Sequence, residues 1–202
     1  MKNLIILGVP RAGKSTLATN VAKKLSECGD PISLINADAV MGGLTAERGG
    51  HAMYRYIIRP LRHIIPGLRN HSKQQMRKNL VNFIGRFLDE TAQTSTVIFE
   101  GAYISPEYAT KIFNTKKFKI VVIGYPNISA EDKCKDIRKF DKKTPLNSLN
   151  DSELFNRISG LIKTSQEYQK QCKKYKMTFI DTSYDYHGEI KKFTENVCEY
   201  LK

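Results

Sequence analysis

Apolar positions along the 202-residue chain follow two rhythms. Short unbroken runs at 3–8 (NLIILG), 32–36 (ISLIN), 96–99, 118–123 (FKIVVI) and 177–180 have the length and continuity of strands buried in a parallel sheet. Between them the spacing lengthens to three and four. Leu17, Ala18, Val21, Ala22 and Leu25 form one apolar face over 15–26, which stops near Gly29-Asp30-Pro31. The same rhythm predicts helices over about 73–90, 152–174 and 188–201, and one opening at Ser129-Ala130-Glu131-Asp132, in the form of a capping box, and running to about 140. A polar stretch, 141–150, joins the last of these to its successor. Strands alternating with helices predict an α/β protein whose parallel sheet is covered on both faces. The stretch between the second and third strands is too long for one crossover helix. Broken at Gly49-Gly50, Pro60 and Pro66-Gly67, it reads as an inserted, mostly helical subdomain.

Composition changes this picture little. Hydrophobic residues make up 41% and charged residues 26%, as in ordinary globular domains, and the length suits one domain with an insertion. No apolar run approaches the roughly 20 residues needed to span a bilayer. The run from Leu4 to Val9 is too short for a signal sequence, so a cytoplasmic location is expected. The cysteines, Cys28, Cys134, Cys172 and Cys198, show no metal-ligand spacing and are expected to be thiols rather than disulfide or zinc partners.

Charge adds more. The net charge is +13, and between Arg48 and Leu88 stand nine Lys or Arg residues with no Asp or Glu. Such a segment either faces an anionic partner, a phosphorylated metabolite or a nucleic-acid backbone, or forms a solvated basic surface.

The chemistry is concentrated at the N-terminus. Gly8-Val9-Pro10-Arg11-Ala12-Gly13-Lys14-Ser15 matches G-x-x-x-x-G-K-[ST] at every fixed position, between a predicted strand and a predicted helix. Glycines let such a loop turn its backbone N–H groups inward onto phosphate oxygens, and the helix that follows adds its positive end. Gly8, Arg11, Ala12, Gly13, Lys14, Ser15 and Thr16 are therefore the candidate phosphate ligands. Lys14 would reach the β- and γ-phosphates, and the Ser15 hydroxyl would ligate magnesium. Two carboxylates stand where parallel strands end, the rim on which open α/β sheets build their sites. Glu100, closing the third strand before Gly101, can hold a magnesium water shell or position an acceptor. Asp38, just past the second, can accept a proton from an attacking hydroxyl or serve as a turn or N-cap residue.

Taken together, Gly8 to Ser15, Asp38 and the segment 97–101 resemble the P-loop kinases of the nucleoside-monophosphate-kinase-like group, which includes adenylate, shikimate and gluconate kinases and the zeta-toxin and chloramphenicol phosphotransferase relatives. The resemblance implies a P-loop NTPase fold with a five-stranded parallel sheet, ATP and magnesium as cofactors, a helical acceptor-binding subdomain at about 40–91 and a lid at about 133–150. In such kinases the lid supplies arginines to the transferring phosphoryl group. Arg138 is the matching residue here, with Arg157 in reserve and Lys139, Lys142 and Lys143 nearby. Thr182 and Ser183, in the loop after the fifth strand, fall where the family builds its adenine pocket. The adenylate-kinase element Asp-Gly-Phe-Pro-Arg becomes Glu100-Gly101-Ala102-Tyr103-Ile104, without its arginine, so the acceptor need not be AMP.

Arg55, Arg59 and Arg62 are spaced for one helix face before Pro60 disturbs it, and arginine suits bidentate capture of phosphate or carboxylate. Tyr54, Tyr56 and Tyr103 can stack on a ring or simply pack. The expected activity is phosphoryl transfer from ATP to a small acceptor bearing phosphate or carboxylate, by a monomer or homodimer. A regulatory GTPase would need Asn-Lys-x-Asp, which the chain lacks, and a motor ATPase would need an apolar run ending in Asp-Glu. A kinase directed at polynucleotide ends, or an ATPase acting without an acceptor, stays open as the alternative.

Overall fold

A computed structural model describes residues 3–37, 39–40, 83–102, 104–141 and 144–201. Its centre is a parallel sheet of five strands: β1 (Asn3–Gly8), β2 (Ile32–Asn36), β3 (Thr96–Gly101), β4 (Phe118–Gly124) and β5 (Thr178–Asp181), in the order β2-β3-β1-β4-β5. β1 pairs with β3 on one side and β4 on the other, with Ile6 opposite both Glu100 and Val121. All six residues of β1 are buried, which is why its sequence shows no alternation.

Side chains along β1 still point alternately to the two faces. Leu4 and Ile6 enter a core with Leu17, Val21, Ile158, Ile190 and Val197. Ile5 and Leu7 enter a second core with Phe99, Ile84, Leu88, Phe113 and Val122. The first is covered by α1 (Lys14–Ser26), α3 (Ala130–Phe140), α4 (Asp151–Tyr175) and α5 (Tyr186–Tyr200). The second is covered by α2 (Pro106–Ile112) and the helical segment 83–91, the described part of the helix predicted over 73–90. The far end of α4 reaches this second core through Cys172.

Strand and helix bounds fall within a few residues of expectation, and the differences have local causes. β3 runs on to Gly101 because Glu100 is itself buried in the sheet. α4 begins at Asp151 under a full capping box, in which the Asn150 side chain accepts from Glu153 N–H and Glu153 reaches back to Asn150 N–H. At Ser129 only half of such a box forms, the serine accepting from Asp132 N–H at 3.0 Å. α2 has no counterpart in the sequence reading. Its signals are nonetheless present: Ser105 as N-cap, Pro106 in the first turn and Glu107 behind it. Among the described residues no helix is long and apolar enough to cross a membrane.

The acceptor subdomain expected at 40–91 lies mostly outside the described residues, as do Asp38, Tyr54, Arg55, Tyr56, Arg59, Arg62, Tyr103, Lys142 and Lys143.

Candidate phosphate-binding site

β1 ends at the sheet's carboxyl rim and the chain turns through 8–13 into α1. Two glycines make this turn possible. Gly8 sits at φ 146°, where a Cβ would lie 2.0 Å from the Ile123 carbonyl oxygen. Gly13 sits at φ 99°, and a Cβ there would strike the Tyr186 ring at 2.6 Å. Arg11, between them, holds a left-handed φ of 63° without being glycine, a strain of roughly 1–3 kcal/mol that its surroundings must hold in place.

Those surroundings are specific. The buried Tyr125 hydroxyl donates to Pro10 O at 2.9 Å, and its phenol is pushed well above its ordinary pKa by burial, so it remains a donor at neutral pH. The Arg11 guanidinium pairs with Asp141 at 2.9 Å. Tyr186 lies against Gly13 and donates to the Thr16 hydroxyl at 3.1 Å. The loop is thus held from the β4 end, from the end of α3 and from the first turn of α5.

Within it, Lys14 is 8% exposed and its Nζ donates to Val9 O at 2.9 Å. Gly13 caps α1 with no side-chain hydrogen bond, and the first turn holds no acidic residue, which suits an anion at these N–H groups.

Below the loop, Ser15 and Glu100, each a candidate on its own in the sequence, are in contact. Ser15 Oγ donates to Glu100 Oε1 at 2.8 Å, and Glu100 is 5% exposed. A third member, absent from the sequence reading, is Asn36. Its Nδ2 donates to the same Glu100 oxygen, while its Oδ1 accepts from Ala39 N–H at 3.0 Å. The parallel register, with Asn36 opposite Glu100 and Glu100 opposite Ile6, is what aligns these ends. No sequence signal connects an asparagine at 36 to a glutamate at 100. Only its place at the end of a strand could have raised it.

Thr182 and Ser183 lie beside the loop, but their hydroxyls face inward. Thr182 Oγ donates to Gly124 O at 3.1 Å, and Ser183 Oγ donates to Asp181 Oδ1 at 2.5 Å and accepts from Asn127 N–H at 2.9 Å. They fasten the loop after β5 to the one after β4. The aromatic side chain this loop exposes is Tyr184, at 85%.

Arg138 has partners away from the phosphate loop. Its guanidinium donates to Asn147 O, to Leu149 O at 2.7 Å and to Asp151 Oδ1 at 2.8 Å, closing the segment between α3 and α4 upon itself. A second basic group of α3, Lys133, lies against Tyr125 instead. It is 8% exposed, with Nζ 4.4 Å from the centre of the Tyr125 ring, the same tyrosine that holds Pro10. Burial lowers its pKa, and Asp136 and Asp141 partly restore it. The charge of Arg157, the reserve candidate, is also felt at the Tyr125 phenol, together with that of Arg11.

No protein-family model matches this sequence, and no curated protein matches it either. Solved structures do. A shikimate kinase from Bacteroides thetaiotaomicron is 17% identical over 99% of this chain and 98% of its own, with a TM-score of 0.54. A sugar kinase from a Janibacter species is 14% identical over 100% of this chain and 95% of its own, with a TM-score of 0.50. These likenesses, spanning the chain from end to end, show its fold: the P-loop fold of the nucleoside-monophosphate-kinase-like proteins.

Proposed function

We propose that this protein is an ATP-dependent kinase acting on a small acceptor that bears phosphate or carboxylate. The observation that carries the reading is the cluster under the phosphate loop, where Ser15, Glu100 and Asn36 converge beside Lys14 at the sheet's carboxyl rim. The fold's use by a shikimate kinase and a sugar kinase supports an acceptor of small size.

Magnesium fits the donor set. A hydroxyl oxygen from Ser15 and a buried carboxylate from Glu100 are hard oxygen ligands already facing each other, directly or through water. When bound with the nucleotide, the ion would neutralise charge on the phosphate oxygens. The chain's own groups do the rest. N–H groups of 8–16 cradle the phosphates, and Lys14 exchanges the Val9 carbonyl for β- and γ-oxygens. Lys133 and Arg157, whose charge acts on the same tyrosine, supply the lid cations, since Arg138 is held by carbonyls. Tyr184 offers an exposed ring to the base. Asp38 orients or deprotonates the acceptor, and Arg55, Arg59 and Arg62 bind its anionic group.

The test is ATP consumption with magnesium against nucleoside monophosphates, sugar acids, phosphorylated metabolites, aminoglycosides and a short oligonucleotide. Stimulation by one small acceptor is expected, and Lys14→Ala should abolish it. Turnover retained in that variant would sink the assignment. The acid-free basic segment 48–88 favours one second reading, a kinase of polynucleotide ends. Stimulation by the oligonucleotide alone would establish that instead.

A further inference from the structure

Arg11 is the anomaly of the phosphate loop. It holds a left-handed φ of 63° where a glycine would sit without strain, so the fold bears a cost to keep a side chain there. Backbone strain of this kind persists where a side chain's task requires it. The partner at hand does not account for the cost. The guanidinium meets Asp141 through Nε at 2.9 Å and Nη1 at 3.4 Å, but the two side chains are 36% and 26% exposed. Water screens such a pair to little net value.

Asp141 is placed no better. It caps the C-terminal end of α3, its N–H donating to Ile137 O at 2.9 Å. The dipole there opposes a carboxylate and favours cations, such as Arg138 and Lys139 in the last turn. Through Arg11 it also brings negative charge to a loop built for anions, whose helix has no acidic residue in its first turn. Each residue is ill suited to its own position, and each makes sense as the other's temporary partner.

We propose that Asp141 is a built-in competitor for nucleotide: Arg11 exchanges its carboxylate for the phosphate groups of an incoming nucleoside di- or triphosphate, one anion for another. This rests on the kinase reading and adds to it a control on nucleotide affinity at the same site. The chemistry favours the exchange. Phosphate offers the planar guanidinium the same two-oxygen face as a carboxylate, with more charge. The loop backbone need not move, because the Tyr125 hydroxyl holds Pro10 O at 2.9 Å and only the Arg11 side chain has to turn. Asp141, already part-exposed, is hydrated on release.

The test is calorimetric titration at low salt with magnesium-ADP and with a non-hydrolysable magnesium-ATP analogue. It compares the unaltered protein, Asp141→Asn, Arg11→Gly and the double variant. Asp141→Asn keeps the shape and removes the competing charge, so both nucleotides should bind about threefold tighter or more. Arg11→Gly should weaken both by about tenfold or more. Its thermal midpoint should be unchanged or raised, because glycine takes the left-handed φ freely. In the double variant the asparagine should add nothing, since its effect works through Arg11. A pair that only pins the loop predicts the opposite sign: unchanged or weaker binding in Asp141→Asn would overturn the proposal. A gain that survives in the double variant, being charge removal alone, would overturn it too. Both results would leave the kinase reading standing, whereas an unaltered protein that binds neither nucleotide would overturn both. Should Arg11→Gly fold poorly, Arg11→Asn, a residue type that tolerates the left-handed region, serves the same comparison.

Discussion

At the scale of single residues, Glu100 shows how a site and a core impose opposite demands. Its carboxylate is buried in β3 and faced by two neutral donors, Ser15 Oγ and Asn36 Nδ2, on one oxygen. Taking a charge out of water is costly, so a purely structural residue here would be better neutral. Glu100→Gln keeps the shape and an acceptor oxygen. It should leave the thermal midpoint unchanged or higher, lower kcat/KM by about a hundredfold or more, and shift the magnesium titration to higher concentration. An unaltered magnesium dependence would return Glu100 to packing alone. Gly8 and Gly13, by contrast, were legible as loop glycines from their spacing, and the structure adds what they make room for: the Ile123 carbonyl and the Tyr186 ring.

At the scale of elements, α3 divides its basic residues between two tasks. Arg138 ties the chain between α3 and α4 through the carbonyls of Asn147 and Leu149 and the carboxylate of Asp151. Lys133 lies buried on Tyr125 beside the phosphate loop. The two substitutions should therefore separate. Arg138→Ala should cost about 1–3 kcal/mol of stability and lower the thermal midpoint by several degrees, with kcat changing less than Lys133→Met changes it. Lys133→Met should reduce kcat tenfold or more without lowering the midpoint near neutral pH. The sign follows from burial. A lysine whose pKa is depressed in the folded state destabilises it at every pH below that value, and the penalty fades as pH rises toward the ordinary 10.5. Removing the amine removes the penalty. A large loss of stability in Lys133→Met would contradict this. The sequence reading named Arg138 and passed over Lys133, because helical spacing places groups on a face but does not say which face meets the loop.

At the scale of the whole molecule, the phosphate loop gathers restraints from chain segments far apart in sequence: Tyr125 after β4, Asp141 after α3, and Tyr186 at the start of α5. A ligand seated there binds only the assembled fold. At a hundred times its dissociation constant, magnesium-nucleotide should add about 2.7 kcal/mol, read as a rise of several degrees in the thermal midpoint. Lys14→Ala should lose that rise while keeping the midpoint of the ligand-free protein to within a few degrees. The same rise in the variant would place the nucleotide elsewhere.

Local pattern determined a great deal. Unbroken apolar runs fix buried parallel strands, three-and-four spacing fixes the helices that cover them, and the contiguous motif from Gly8 to Ser15 fixes a phosphate loop, because each of these is encoded by neighbours in the chain. Tertiary structure alone decided the pairings across distance. Asn36 joins Glu100 through strand register, and Arg138 turns to carbonyls while Lys133 turns to Tyr125. The reason is physical: which side chains meet depends on register, crossing geometry and burial, which arise only when elements distant in sequence share one core.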